Sequence, residues 1–274
     1  MEELKQFWGH GAAKAWERFG EGMFKPLAAL VILAMAILMS YLQKLDLERE
    51  MIYSIMRSFL QLSLVGFILE FIFKQKNPLW IIAIYLFMVL VAGYTAGKRA
   101  KHIPNSSVVA GFSILVGTFL TMNLLIWLNV FPITPQFIIP VAGMMVGNSM
   151  TTTGVTLKRL RDDLRTQQNM VETALALGAT PRQAIIRQVK KSLVIALSPA
   201  LDNAKIVGLI TLPGAMTGLI MGGQSPLKAI QLQMVIMNML LGASTLASII
   251  STYIICRFVF TKTYQLKTEI LVAE

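Results

Sequence analysis

The chain has 274 residues, 55% of them hydrophobic and only 14% charged, which is more apolar surface than a soluble single domain needs. A polytopic membrane protein is therefore expected, all-α if its apolar segments are helices. The net charge of +11 would suggest nucleic acid in a soluble protein. Here the cations cluster in short interhelical loops, where membrane topology accounts for them, so no nucleic-acid partner is expected.

Residues 1–25 are polar to amphipathic. Lys5, Lys14, Arg18 and Lys25 alternate with Glu2, Glu3, Glu17 and Glu21, and Phe7, Trp8, Trp16 and Phe19 lie among them. That mixture predicts a helix lying in the membrane interface. The apolar run after Pro26 is not followed by a small-residue cleavage site, so a cleavable signal peptide is not expected.

About seven apolar segments follow, each close to the roughly 20 residues that a bilayer core requires. They run over about 26–42, 51–73, 79–97, 108–131 and 137–157, then from near Ser192, then over about 229–260. The sixth is interrupted by Pro199, Asp202, Lys205 and Pro213. Together they make one transmembrane domain over 26–274. The loops at 43–50, 98–107 and 158–191 and the C-terminal tail hold most of the loop cations, whereas the opposite side holds Lys74, Lys76 and Lys228. The positive-inside tendency therefore places the C-terminus in the cytoplasm.

Residues 158–191 are the one long polar island, with eight of the 25 Lys and Arg residues. Its middle carries helix formers, Ala174 to Leu177, ahead of Gly178, a natural C-terminal stop. Thr180-Pro181-Arg182-Gln183 then restarts a helix. Thr180 suits the N-cap, Pro181 the first helical position, and Gln183 completes a capping box. The island reads as a helical elbow offered to a cytoplasmic partner.

Within the membrane, glycines recur at four-residue spacing: Gly93 and Gly97, Gly143 and Gly147, then Gly214, Gly218 and Gly222 beside Pro213. Such spacing lets helix backbones approach closely, and a glycine-rich seam next to a proline can bend. Asp202 and Lys205 stand three residues apart on one helical face. A charge at membrane depth should face a bundle interior or a cavity, either as a helix staple or as part of a pathway. Arg57 and Glu70, near the ends of the second segment, can snorkel. Met144, Met145 and Met150 flank Asn148 and Ser149; their thioethers either fill core gaps or ligate a soft metal, whereas Asn and Asp oxygens suit harder ions.

Catalytic spacing is missing. There is no HExxH, CxxC or paired-carboxylate pattern, and the single Cys256 allows no intrachain disulfide. The nearest approach to a phosphate-cradling loop, residues 93–99, is one residue short and has Arg99 where a hydroxyl is needed. The chain therefore has no ATP site or cofactor of its own and is not expected to be an enzyme.

Glu172-Thr173-Ala174, three residues and Gly178 resemble the E-A-A-x-x-x-G signature of ABC-transporter permeases, without the usual downstream I-x-L-P in register. A closer likeness covers residues 138–235. Residues 139–144 (IPVAGM) with Gly147-Asn148, residues 177–184 (LGATPRQA), residues 202–209 (DNAKIVGL), then Leu212-Pro213-Gly214 and 218–220 are similar to the FetB-type permease family.

The resemblance implies a permease that works as a dimer with a separate FetA-like ATPase subunit, which carries the ATP and Mg. Glu172, Thr173, Ala174, Leu177, Gly178, Ala179, Thr180 and Pro181 would couple to that subunit. Asn148, Asp202, Asn203 and Lys205 would line the substrate pathway. The family is associated with iron export from the bacterial plasma membrane. Its plant relatives are linked to aluminium tolerance, and nucleotide-sugar transport has been proposed for some. The alternative is a secondary transporter or ion channel that uses Asp202 as its coupling carboxylate.

Overall fold

A computed structural model describes residues 24–74, 79–100, 103, 105–130, 134–261 and 265. The interfacial segment expected over 1–25 falls outside these residues, except for the first two positions of the first helix. Among the described residues nine helices follow in order: α1 Phe24–Leu42, α2 Glu48–Lys74, α3 Leu79–Arg99, α4 Ser106–Trp127, α5 Pro135–Thr166, α6 Gln168–Ala176, α7 Pro181–Ile206, α8 Gly214–Met221 and α9 Pro226–Phe258.

The described chain divides after Lys74 into two compact units. In the first, α1 and α2 form a hairpin. Ser40 Oγ donates to Glu48 Oε1 at 2.7 Å, so the end of one helix holds the start of the next.

In the second unit α4 packs on α3 and α9, α5 packs on α3 and α9, and α7 lies against α5 and α9. The seam between α3 and α4 is made of small residues. A Cβ on Gly93 would overlap Gly111 Cα, and one on Gly97 would overlap Ser107 Cα. Gly117 is tight against α9, where a Cβ would come within 2.8 Å of Ala247 N. Backbones approach this closely because only packing and hydrogen bonding, with no hydrophobic drive, bring helices together in lipid.

Small hydroxyl residues fill much of the remaining interior. Thr118, Thr156 and Ser244 are buried, and each donates to the carbonyl four residues earlier, at 2.7, 2.8 and 2.6 Å. A hydroxyl satisfied within its own helix can face another helix without an unpaired polar atom.

By length and apolarity, four described helices can cross a membrane: α2 over Glu48–Glu70, α3, α4 and α9. The seven segments expected from the sequence do lie on helices, but the other three have different characters. The apolar stretch of α1, Ala28–Leu42, is short. In α5 and α7 an apolar half runs without a break into a polar half, because nothing at Lys158 or Ser192 stops the helix. Pro140 and Pro199 both sit inside their helices.

Candidate functional site

The polar island is helical almost throughout. α5 passes through Lys158 to Thr166, a single residue separates it from α6, and α7 starts at Pro181. The turn between α6 and α7 follows directly from the local sequence. Gly178 has φ +88°, open to glycine at little cost. Its N–H donates to Leu175 O and the Ala179 N–H donates to Ala174 O, both at 3.0 Å, which closes α6 with a Schellman motif. Two residues later the capping box forms as the sequence predicts. The Gln183 N–H donates to Thr180 Oγ1 at 3.4 Å, and the Thr180 N–H donates to Gln183 Oε1 at 2.9 Å.

The elbow is braced against the bundle from below. Lys191 Nζ meets Asp163 Oδ1 at 3.1 Å, and Gln188 Nε2 donates to Gln167 Oε1 at 2.9 Å. Leu164, Val171 and Ile185 are fully buried in the cluster under the turn. Arg182 lies over the Tyr253 ring of α9, 5.3 Å from its centroid. The sequence reading missed Asp163, Gln167, Gln188 and Tyr253. These residues meet only through tertiary packing, and none belongs to a local motif.

The outward side of the elbow is a compact surface. Glu172, Thr173, Ala176, Leu177 and Gly178 are exposed, and Leu177 is 83% exposed despite its apolar side chain. Gln168 Nε2 holds Glu172 Oε1 at 2.7 Å. Ala174, Ala179 and Pro181 are half-buried behind them. A cleft of about 610 Å³ opens along Glu172, Leu175, Gly178 and Thr180. An exposed leucine thus stands at the tip of a braced turn, beside a carboxylate and a cleft.

The membrane candidates sit differently from the expectation that they face the bundle interior. Lys205 Nζ pairs with Asp202 Oδ1 at 2.9 Å, yet the two side chains are 73% and 64% exposed. Asn203 and Asn148 are exposed as well, and Asn148 Nδ2 donates to Met144 O at 3.3 Å. Residues 201–205 at the end of α7 are all exposed, so one chain alone does not enclose them. The Lys191–Asp163 contact joins α5 to α7 near the elbow.

Met144 and Met145 pack in one apolar cluster and Met150 against another, so the three thioethers do not converge. Among the described residues no three His, Cys, Asp or Glu side chains group as a metal site. Gly143, Gly147, Gly214 and Gly218 make no close approach. A Cβ on Gly143 would meet only Met88 Sδ at 3.5 Å, and the other three have nothing within 4 Å. Of the three spacings, close approach is found at Gly93 and Gly97, where Gly93 meets Gly111, and also at Gly117, which the spacing did not single out. A Cβ on Gly222 would be close only to backbone oxygens of α8, Gly218 O at 3.2 Å and Leu219 O at 3.4 Å. Pro213 serves as the N-cap residue of α8.

These helices, with their small-residue seams and the elbow braced at one end, define an all-α polytopic membrane protein. The chain belongs to the Uncharacterised protein family (UPF0014), which matches residues 23–260. It is 65% identical to Protein ALUMINUM SENSITIVE 3 of Arabidopsis thaliana over 92% of each chain. It is 62% identical to UPF0014 membrane protein STAR2 of Oryza sativa subsp. japonica, covering 96% of this chain and 93% of that one. The Probable iron export permease protein FetB of Escherichia coli is 36% identical over 87% of this chain and 92% of its own. No solved structure matches the chain significantly.

Proposed function

We propose that this protein is the permease subunit of an ATP-driven ABC exporter, coupled to a separate ATPase subunit through the elbow at residues 166–186. The observation that carries this reading is the tip of the elbow: exposed Leu177 and Glu172 on a turn fixed by Gly178 and the Thr180 capping box. A surface that transmits force must be both accessible and rigid, and this one is braced by Lys191–Asp163 and Gln188–Gln167. The ATPase brings ATP and Mg; this chain supplies the path.

α7 provides the transmission. It runs as one helix from Pro181 at the elbow to Ile206, about 39 Å, past Pro199 to Asp202 and Lys205. Displacement of the elbow therefore moves the pathway candidates directly. Exposed Asp202, Asn203, Lys205 and Asn148 within a membrane span need a polar neighbour, and a second copy of the chain placed against α5 and α7 provides one. The cargo we assign is iron or another metal ion, supported by the likeness to the bacterial FetB. The higher identity to two plant proteins favours a plant-type membrane over the bacterial plasma membrane, with the C-terminus cytoplasmic.

The test is ATP hydrolysis by the complex in liposomes, with metal ions and nucleotide sugars compared as stimulators. Stimulation by metal ions supports the cargo assignment, and stimulation by nucleotide sugars alone replaces it. Normal partner binding and normal substrate-stimulated hydrolysis in Gly178→Trp would refute coupling through the elbow.

A further inference from the structure

Beside the elbow, and separate from its outward tip, a second cleft of about 330 Å³ lies where the first turn of α7 meets the last turns of α9. It is lined by Thr180, Arg182, Tyr253, Cys256, Arg257 and Phe260, among others. Two guanidinium groups share the Tyr253 ring there, Arg182 at 5.3 Å and Arg257 at 5.8 Å from its centroid. Among the described residues neither arginine is ion-paired with a carboxylate.

Such an arrangement leaves two positive charges on the cleft without a carboxylate beside them among the described residues. Two like charges brought to one ring repel each other. Arg182 also stands in the first turn of a helix that has no acidic residue there, where the macrodipole disfavours a cation. Stacking on Tyr253 offsets part of this. An anion between the guanidiniums would offset the rest. Planar guanidinium forks match the paired oxygens of a phosphate, and they are less strongly hydrated than lysine ammonium groups. The charge pattern assigns this end of the bundle to the cytoplasm, where headgroups of anionic lipids would lie close by.

We propose that this cleft binds a phosphate-bearing anion between Arg182 and Arg257, supplied either by an anionic lipid headgroup or by a soluble phosphate. The bound group joins α7 to α9 at the base of the elbow and so sets how freely the elbow moves.

Cys256, the single cysteine, lines the cleft and reports on it directly. The full-length protein in neutral detergent is reacted with an anionic and a cationic methanethiosulfonate of similar size. Relative to the ratio of their rates with a free thiol in solution, the anionic reagent should be favoured about tenfold, because a concentrated positive field raises the local anion concentration. In the Arg182→Gln/Arg257→Gln protein that preference should vanish. Inorganic phosphate and phosphatidic acid, each against phosphatidylcholine, are then tested for protection of the thiol and for a rise in Tm. An effect of phosphatidic acid alone identifies a headgroup; an effect of inorganic phosphate identifies a soluble ligand. Either effect must be absent from the double variant. No charge preference, or no variant-sensitive protection and no variant-sensitive Tm rise with either anion, overturns the proposal.

Discussion

Lys191 Nζ meets Asp163 Oδ1 at 3.1 Å and so joins two helices across 28 residues of chain. The contact fastens the descending helix α5 to the returning helix α7 just below the α6 turn. Asp163 is largely buried, whereas Lys191 is more than half exposed. Solvent screens such a pair, so Asp163→Asn should lower stability by only about 0.5–1 kcal/mol. The larger effect should be on the elbow itself. Hydrogen exchange of the α6 amides should speed up while α3 and α4 keep their protection. Unchanged α6 exchange would show that the brace is not needed.

Thr180 caps α7 and is capped in return by Gln183. Thr180→Ala should cost about 1 kcal/mol, the usual worth of such a cap. Thr180→Ser, which keeps the hydroxyl, should cost little. Chemical denaturation of the two variants side by side checks the difference.

Gly178 has open space around it, so its constraint is its positive φ and not its size. Gly178→Ala should destabilise by about 1–2 kcal/mol through left-handed strain, and Gly178→Asn by less. Partner binding should fall in the same order, read as the amount of ATPase retained on the immobilised permease.

Two glycine pairs with the same spacing should respond in opposite ways. Gly97→Ala places a methyl group on Ser107 backbone, where nothing can yield, and should cost about 1–3 kcal/mol or more. Gly147→Ala meets nothing within 4 Å and should be neutral or slightly stabilising, since alanine is the better helix former. Thermal unfolding in detergent separates them. Equal Tm losses would contradict the assignment of the seam.

The Asp202–Lys205 pair is exposed, so Asp202→Asn should change stability by well under 1 kcal/mol. A pathway role predicts a marked loss of substrate-stimulated ATP hydrolysis at unchanged Tm. A staple predicts the reverse, and the two measurements on one variant decide between them.

How much of this was legible in the sequence depended on the range of the interaction. The α6–α7 turn could be read residue by residue, because Gly178, Thr180, Pro181 and Gln183 act through backbone groups within five positions. The helical class and the positions of the apolar segments were legible for a similar reason. The continuity of α5 through Lys158 was not, since a polar surface does not end a helix when its buried face, Leu157, Leu160 and Leu164, continues. Nor was the choice between glycine pairs. Gly93–Gly97 and Gly143–Gly147 share one pattern, and only the partner helix, through Gly111 and Ser107, tells them apart. The Arg182–Tyr253–Arg257 group joins α7 to α9 over some 70 residues of sequence, with no local signature.

The central claim is that the elbow docks an ATPase. The most direct measurement is to purify the tagged full-length chain from its native membrane and determine whether a Walker A-bearing subunit accompanies it in stoichiometric amount. Our account predicts that this subunit is present with the native chain and lost with Leu177→Asp or Gly178→Trp, while the membrane domain keeps its Tm. Absence of any ATPase from a native chain that still transports, or equal retention by both variants, would contradict it.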